Sequence, residues 1–365
     1  MSEPLIYQLA LSQIPNIGSV LAKNLVGYCG GVEAVFSEKL SLLKKIPGIG
    51  EATAKSVYYF NDFDALQSEI TFINDQNIST YFFTDKRYPY RLKQVHNAPI
   101  MLFQKGESAL NAGRMLAVIG TRKTSQYGKD LTDKLIDELK DYGPSIISGL
   151  AYGIDSYAHK AALKYNLPTI SVFGHGLDRI YPSQNTNLAN KILESSGCWL
   201  TEFHTGTIPD RENFPKRNRI VAGMVDGVIV VESPLAGGSM ITANMAFGND
   251  REVMAVPGRP WDGHAMGCNN LIKTQRAHLI ENGQDVAEIL NWDTDIKQTA
   301  QIELPISLGP QEQIIFDVLK LHDGLDIDRL TSLTNLNPSI LAYKLLEMEM
   351  KHLIRNLPGK QYRLI

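Results

Sequence analysis

Two hydroxyl residues and an arginine follow a short apolar stretch, in Gly120-Thr121-Arg122 and, three residues later, Ser125. A glycine lets the backbone approach a ligand closely, and the turn and helix start that follow offer N–H donors. The combination is typical of a cradle for phosphate. It is not a Walker A loop, because Lys123 stands where that motif needs its first glycine. We therefore expect anion contacts at Gly120, Thr121, Arg122 and Ser125.

A second segment places three cations within four residues beside an aromatic ring: Phe214, Lys216, Arg217, Asn218 and Arg219. It precedes a predicted helix, where positive charge is unfavourable unless an anion binds. An aromatic ring beside a basic cluster is what single-strand binding uses, because bases stack on the ring while cations track the backbone. A solvated charged face remains the alternative.

A third segment, Gly237-Gly238-Ser239, follows a predicted buried strand and opens a helix. Such turns form anion-binding nests from backbone N–H groups. We therefore add Gly238 and Ser239 to the expected nucleic-acid contacts. Turns at the carboxyl ends of parallel strands meet at one edge of a sheet, so the three segments are expected to converge.

The sequence offers no catalytic or metal-binding constellation. Asp155 and His159 stand four residues apart, but Ser148 lacks the nucleophile-elbow pattern that a hydrolytic triad of this kind needs. A structural hydrogen bond is the better interpretation. His175 has no obvious partner, and Cys268 is expected to be a small packed residue.

The elements that position these residues alternate in type. Apolar runs of strand length are separated by stretches of helical character, and runs such as 227–231 are apolar on both faces. This alternation predicts a doubly wound α/β sheet with a Rossmann-like core. The predicted strands are 115–119, 145–148, 169–173, 198–200, 227–231 and 252–256, and the predicted helices between them include 128–141, 155–165 and 187–194.

The N-terminal region contains an internal repeat. The pattern I-P-x-I-G-x-x-x-A-K occurs at 14–23 and again at 46–55. Each copy resembles a helix-hairpin-helix module, whose turn presents backbone N–H groups to a phosphate. The first copy has Asn16 where the second has Gly48. A packed helical domain whose turns only build the fold is the alternative.

The tail predicts three short helices and a strand pair, 353–356 and 361–365, which is the outline of a winged helix. Its balanced charges make protein contact at least as good an interpretation as DNA binding. We expect a helical domain over 1–65, a core over 66–292 that begins with a connecting segment at 66–110, a linker over 293–309 and a winged-helix-like domain over 305–365.

Composition limits the class of protein. Lys and Arg total 36 against 39 Asp and Glu, a net charge of −3, so a broad basic surface is not expected, although a local basic cleft is sufficient for nucleic-acid binding. The three cysteines are far apart and form no CxxC, which favours a reducing compartment over a disulfide framework or zinc site. No signal peptide or membrane span is recognisable, so a cytoplasmic location is expected.

Taken in order, several blocks resemble the DprA/Smf family, whose name stands for DNA-processing protein A. They are Ile119–Arg122, Ser148–Asp155, Gly176–Asp178 with Tyr181-Pro182, Phe214–Arg219, Gly237–Ser239, Val256–Gly258 and Gly267–Asn269. The resemblance covers roughly residues 80–290. One departure is local: Arg276 stands where members often have glycine.

The resemblance implies a Rossmann-like core that binds single-stranded DNA, protects incoming strands in natural transformation, helps load the RecA recombinase and forms a homodimer. It implies no cofactor and no enzymatic activity. The family's DNA contacts correspond here to Arg122, Lys216, Arg217, Asn218 and Arg219.

The competing class is an enzyme. The core more distantly resembles nucleotide phosphoribohydrolases, whose glycine-rich loop precedes a catalytic glutamate. Here Met240 replaces a glycine of that loop and Asn244 stands where the glutamate would fall. The acid needed for oxocarbenium chemistry is therefore missing. A pure protein-interaction scaffold is a third possibility, but it leaves the 214–219 cluster unexplained.

Overall fold

The computed structural model describes residues 5–292, 308–322, 324–351, 353–357 and 359–364. The predicted linker therefore lies mostly outside the described residues, as do the start of the expected third domain at 305 and the last residue of the expected tail strand. The N-terminal helices are α1 (Leu5–Gln13), α2 (Ser19–Cys29), α3 (Val32–Ser37), α4 (Leu40–Leu43), α5 (Glu51–Tyr58) and α6 (Phe63–Asp75).

The two copies of the repeat adopt the same turn. Asn16 and Gly48 both have left-handed backbone, with φ of 63° and 81°. In each copy the following isoleucine N–H donates to the carbonyl three residues earlier, at 3.3 Å and 3.0 Å. A helix then begins just after the glycine that both copies share, Gly18 or Gly50. Asparagine tolerates this conformation better than most residues, which explains the substitution.

The central unit contains nine strands. They are β1 (Ser79–Phe82), β2 (Met101–Gly106), β3 (Met115–Ile119), β4 (Ser145–Ser148), β5 (Thr169–Val172), β6 (Cys198–Thr201), β7 (Gly227–Val230), β8 (Glu252–Ala255) and β9 (His278–Leu279). The helices are α7 (Tyr90–Lys93), α8 (Gln126–Leu139), α9 (Ile154–Lys164), α10 (Thr186–Glu194), α11 (Asn213–Gly223), α12 (Gly238–Gly248), α13 (Met266–Lys273) and α14 (Gly283–Ile289).

The sheet order is β1-β2-β6-β5-β4-β3-β7-β8-β9. The strands from β6 to β9 pair in parallel, whereas β2 is antiparallel to β6 and β1 to β2. The Rossmann-like core is confirmed, but its sheet is mixed. The chain winds from β3 toward β6 and then returns to β7 on the other side of β3. This reversal places a crevice at the carboxyl end of β3, where ligands of such sheets bind.

The interpretation of 66–110 as a connecting segment is wrong. This stretch completes α6, forms both antiparallel strands and includes α7. Its strands were missed because β1 is only four residues long and mostly not buried, and because the apolar run of β2 gives way to Gln104 and Lys105. The expected boundary at 65/66 falls inside α6, which packs on α1. We propose that the helical unit ends with α6.

The helical unit and the sheet share apolar packing. Leu9, Leu25 and Leu66 belong to one buried cluster with Phe103 and Trp199 of the sheet. The two faces of the parallel strands each support a separate cluster, one under α11 and α12 and one under α8 and α9. The helical unit thus packs against the end of the sheet that contains the antiparallel strands.

The tail forms the expected winged helix. Its elements are α15 (Pro310–Lys320), β10 (Leu325–Asp326), α16 (Ile327–Thr334), α17 (Pro338–Met350), β11 (Ile354–Leu357) and β12 (Gln361–Leu364), with the sheet order β10-β12-β11. The turn of the strand pair lies against the core, where Lys360 Nζ is 3.4 Å from an Asp250 carboxylate oxygen. Among the described residues, no helix combines the length and apolar character needed to cross a bilayer.

Candidate nucleic-acid interface

A cavity of about 730 Å³ opens at the carboxyl end of the parallel strands. Loops after β3, β4 and β7 and the first turns of α11 and α12 surround it. Eight of the residues expected from the sequence line this cavity: Gly120, Thr121, Arg122, Phe214, Arg217, Asn218, Gly238 and Ser239. The predicted convergence of three loops is therefore present. We call this cavity the strand-end pocket.

The loop after β3 is held tightly against its neighbours. A side chain at Gly120 would collide with Ile154 and would stand 2.8 Å from the Glu232 carbonyl. The Thr121 N–H donates to that same carbonyl at 2.7 Å, and the Thr121 carbonyl accepts from the Ile154 N–H at 3.3 Å. Only glycine fits at 120, and the next two residues are fixed at the rim of the pocket.

Ser125 serves a different purpose from the one expected. Its hydroxyl caps α8 by accepting from the Gly128 N–H at 3.0 Å and donates to the Glu232 carboxylate at 2.5 Å. The Ser125 N–H and the Thr124 hydroxyl also donate to Glu232, at 2.9 Å and 2.8 Å. Ser125 is not among the residues that line the pocket; it holds the loop in place.

Replacing Glu232 by alanine is expected to lower the free energy of unfolding by about 1–3 kcal/mol, because three partly buried donors lose their acceptor. Urea denaturation monitored by circular dichroism measures this change. Glu252→Ala, on the neighbouring strand β8 with a partly exposed carboxylate, is the control and is expected to cost clearly less. Equal losses in the two variants would contradict the assigned role of Glu232.

An aromatic and a cationic group face each other at the mouth of the pocket. The Arg122 guanidinium carbon lies 5.5 Å from the centroid of the Phe214 ring, and the Tyr181 ring centroid lies 5.9 Å from it on a tilted plane. Arg122 and Tyr181 are both exposed. The group therefore offers flat surfaces for bases and a positive charge for a phosphate.

The pocket is completed by the start of α12. Gly237 precedes the helix, and the first N–H groups of any helix have no acceptor within it. A side chain at Gly238 would meet nothing within 4 Å, so the backbone there is open to a ligand. The Ser239 hydroxyl, however, is buried and donates to the Ser233 hydroxyl at 2.8 Å. Ser239 can therefore offer a ligand only its backbone N–H.

Arg217 lies on the floor of the pocket rather than on its surface. Its side chain is buried and its Nη1 donates to the carbonyls of Gly149 and Val172, at 2.6 Å and 2.5 Å. Burial lowers the pKa of Arg217 to about 10, although the charge of Asp155 opposes this change. Burial raises the pKa of Asp155, and the Arg217 charge opposes the rise. The opposite charges of Arg217 and Asp155 therefore compensate each other at the floor of the pocket.

The other two cations of the cluster lie on the opposite side of α11. Lys216 and Arg219 line a neighbouring cavity of about 750 Å³ between the core and the start of α2. The Arg219 guanidinium forms an ion pair with Glu202 and donates to the Ser19 hydroxyl at 3.2 Å. Lys216 is exposed, and Pro215 borders both cavities. The cluster read from the sequence is thus divided between two surfaces.

Sequence reasoning missed several of the residues that line the pocket, including one cation and one aromatic residue. Arg211 and Tyr181 both line the strand-end pocket, and both are exposed. Tyr181 was noted only as part of a Tyr-Pro pair within the family resemblance. No local pattern in the sequence connects either residue to Phe214; their proximity depends on how the loops after β5 and β6 fold back.

The residues set aside as structural behave accordingly. The His159 Nδ1–H donates to the Thr169 hydroxyl at 2.7 Å, and burial lowers the pKa of His159 to about 3. The Ser148 hydroxyl donates to the Val118 carbonyl at 2.7 Å. Cys268 is buried with its pKa raised to about 12. Asn244 accepts from Arg276 Nη1 at 3.1 Å.

The sequence matches three family profiles. DNA recombination-mediator protein A covers residues 79–291, a SAM-like helix-hairpin-helix tandem covers 9–58, and the DprA winged helix domain covers 300–360. The matches agree with the core, the N-terminal repeat and the tail of the structure.

Among curated proteins, the chain is 40% identical to DNA processing protein DprA of Bacillus subtilis over 217 residues, which is 59% of this chain and 72% of that protein. It is 30% identical to Protein Smf of Synechocystis over an alignment that covers 98% of each chain.

Two solved structures are similar as well. The X-ray structure of DprA from Streptococcus pneumoniae matches with a TM-score of 0.69 and 33% identity, covering 79% of this chain and 98% of that one. A structure of DNA processing protein A from Helicobacter pylori, described for its single-stranded DNA binding mode, matches with a TM-score of 0.53 and 30% identity, covering 59% and 95%. With its core, its helical repeat and its tail all matched, this chain belongs to the DNA recombination-mediator protein A family, also called DprA/Smf.

Proposed function

We propose that this protein binds single-stranded DNA in the strand-end pocket, largely without regard to sequence. The observation that carries the proposal is the group at its mouth, where the Arg122 guanidinium lies 5.5 Å from the Phe214 ring centroid beside Tyr181. Rings stack on any base, while a guanidinium and helix N–H groups favour phosphate. Backbone contacts fix position without reading sequence.

The net charge of −3 supports a single strand over a duplex. Among the cations that the sequence singled out, Arg122 and Lys216 are exposed, whereas Arg217 is buried and Arg219 is paired with Glu202. A duplex offers its bases only at groove edges, so a stacking platform gains nothing from it. We propose Thr121, Arg122, Phe214, Asn218 and Gly238 as contacts, and Lys216 as a phosphate contact beyond Pro215.

A titration of fluorescent oligonucleotides by anisotropy tests this function. Single strands of equal length and different sequence are expected to bind with similar affinity and the matching duplex at least about tenfold more weakly, because it cannot stack on the platform. Preference for the duplex, or for one sequence among the single strands, would overturn the proposal.

Replacing Arg122 by alanine is expected to weaken single-strand binding and to lower the slope of log K against log salt by about 0.7, the value for one phosphate contact. Titrations at several salt concentrations measure the slope. Arg179→Ala, on the neighbouring loop and paired with Asp178, is the control and should leave the slope unchanged. A wild-type slope in Arg122→Ala would remove this residue from the site.

Family membership supports a wider role. We propose that the chain acts in the cytoplasm during natural transformation, protects incoming single strands, helps load the RecA recombinase and works as a homodimer. The tail and the helical repeat are separate candidates for partner contacts. Analytical ultracentrifugation tests the dimer, and RecA filament formation on strands coated with a competing binding protein tests loading. A monomer at micromolar concentration, or no stimulation of RecA, would contradict these parts.

We further propose that the protein is not an enzyme of the nucleotide phosphoribohydrolase type. The position of the catalytic glutamate holds Asn244, whose amide oxygen accepts from Arg276. An amide cannot supply the acid–base chemistry that glycosidic cleavage needs. Incubation with nucleoside monophosphates, followed by chromatography for free base, should show no release above buffer. Release that Asn244→Ala abolishes would overturn this statement.

A further inference from the structure

The groove between α8 and α9 carries a compact group of cations around an aromatic ring. The Lys160 Nζ lies 4.8 Å and the Lys129 Nζ 5.4 Å from the centroid of the Tyr157 ring. Lys160 is exposed, and Lys129 and Tyr157 are half-buried. We call these three residues the α8–α9 patch. None of them has a part in the strand-end pocket.

The positive charge of the patch is not neutralised locally. Within residues 5–292, neither Lys129 nor Lys160 forms an ion pair. The nearby acids of α8 are engaged elsewhere: Asp130 accepts from Gln126, and Asp133 binds Lys164 and the Tyr165 hydroxyl. Both ammonium groups therefore have hydrogen-bond donors available for an anion.

The patch continues from the strand-end pocket. Both α8 and α9 begin at the edge of the sheet where the pocket opens, and the Ile154 N–H at the start of α9 donates to the Thr121 carbonyl in the pocket wall. Lys129 and Tyr157 each lie about one helical turn, some 5 Å along the axis, from those starts. Arg122 and Lys123, in the segment that joins β3 to α8, are both exposed.

We propose that the α8–α9 patch binds the continuation of the single strand that enters the pocket. Lys129 and Lys160 contact successive phosphates, and Tyr157 offers the edge or face of its ring to a base. The patch ends where Asp133 pairs with Lys164, so it extends the site by a short segment only. This inference rests on the proposed single-strand binding and adds a second contact surface to it.

Oligothymidylates of two lengths separate the two surfaces. One of about six nucleotides, near the lower limit of single-strand site sizes, fills the pocket, and one of about twenty also reaches the patch. The double variant Lys129→Ala/Lys160→Ala should bind the short strand like wild type. It should bind the long strand about tenfold more weakly, with a salt slope lower by about 1.4 for two lost phosphate contacts.

Two matched variants control the result. Lys191→Ala/Lys273→Ala removes two exposed lysines from α10 and α13 and should bind both strands normally. Lys129→Arg/Lys160→Arg keeps the charges and should restore long-strand binding. Circular dichroism melts confirm that each variant is folded.

The outcomes distinguish this inference from the function on which it rests. If the alanine double variant binds the long strand with wild-type affinity and slope while Phe214→Ala weakens both strands, the pocket stands and the patch is not a contact. If Phe214→Ala also leaves both strands unaffected, the proposed function itself fails. Equal loss for short and long strands in the lysine variant would likewise overturn a separate second surface.

Discussion

Phe214→Ala is expected to weaken binding of oligothymidylate about tenfold to a hundredfold. The ring is half-buried at the mouth of the strand-end pocket, with Arg122 on it and Tyr181 beside it. Stacking of one base on an aromatic side chain is worth about 1–3 kcal/mol, and 1.4 kcal/mol is a factor of ten in affinity. Loss of the ring also removes the surface on which the Arg122 guanidinium lies. We therefore expect a loss of affinity nearer to a hundredfold than to tenfold.

Fluorescence anisotropy at low salt measures the change in affinity, and two further variants serve as controls. Phe214→Tyr keeps a stacking surface and should remain within about threefold of wild type. Phe247→Ala removes an exposed phenylalanine from α12, outside the pocket, and should have no effect. Binding of Phe214→Ala at wild-type affinity would contradict the stacking role.

Arg217→Ala should lower the free energy of unfolding by about 3–5 kcal/mol, the cost of leaving a buried partner charge uncompensated. The Arg217 guanidinium donates to the carbonyls of Gly149, directly after β4, and Val172, the last residue of β5. Its charge also acts on the buried Asp155. Without the guanidinium, the buried Asp155 carboxylate loses its compensating positive charge, and the Gly149 and Val172 carbonyls lose a hydrogen-bond donor. Any loss of DNA affinity in this variant would come from the collapse of the pocket floor.

Urea denaturation followed by circular dichroism tests this expectation. Lys216→Ala, one residue earlier and exposed, is the matched control and should stay within about 0.5 kcal/mol of wild type. Adding Asp155→Asn to Arg217→Ala removes the stranded charge and should recover part of the lost stability. Wild-type stability together with lost DNA affinity in Arg217→Ala would instead make Arg217 a direct contact.

The sequence was sufficient to predict that the three loops meet at one edge of the sheet. Parallel strands buried on both faces, such as 115–119 and 227–231, carry uninterrupted apolar runs that locate them closely. Once the strands are placed, the topology of a doubly wound sheet brings the following turns to one edge. This is why the loops at Gly120, Phe214 and Gly238 were expected together and are found together.

The sequence was not sufficient to predict which side chains face the pocket. The 214–219 segment was read as preceding a helix, whereas it forms the first turns of α11. Successive residues of a helix are rotated by about 100°, so Phe214, Arg217 and Asn218 share one face and Lys216 and Arg219 turn to another. The spacing of Arg217 and Asn218, three and four residues after Phe214, predicts that they share a helix face. This prediction can be made only if the helix is known to begin before Phe214.

Partners that are distant in the chain explain the remaining differences. Arg217 can be buried because two backbone carbonyls accept its hydrogen bonds and Asp155 compensates its charge. The Ser125 hydroxyl is not available to a ligand because it donates to Glu232. Arg219 is neutralised by Glu202 of the loop after β6. None of these pairings follows a local pattern, since each depends on the order of strands in the sheet.

Photochemical crosslinking gives the most direct test of the strand-end pocket as the site of single-strand binding. An oligothymidylate in which bromodeoxyuridine replaces thymidine is irradiated with the full-length protein, and the crosslinked peptides are identified by mass spectrometry. We predict crosslinks at Phe214 and Tyr181, suppressed by excess unlabelled single strand and not by duplex. Crosslinks confined to the helical repeat or the winged helix, with none around the pocket, would contradict the assignment.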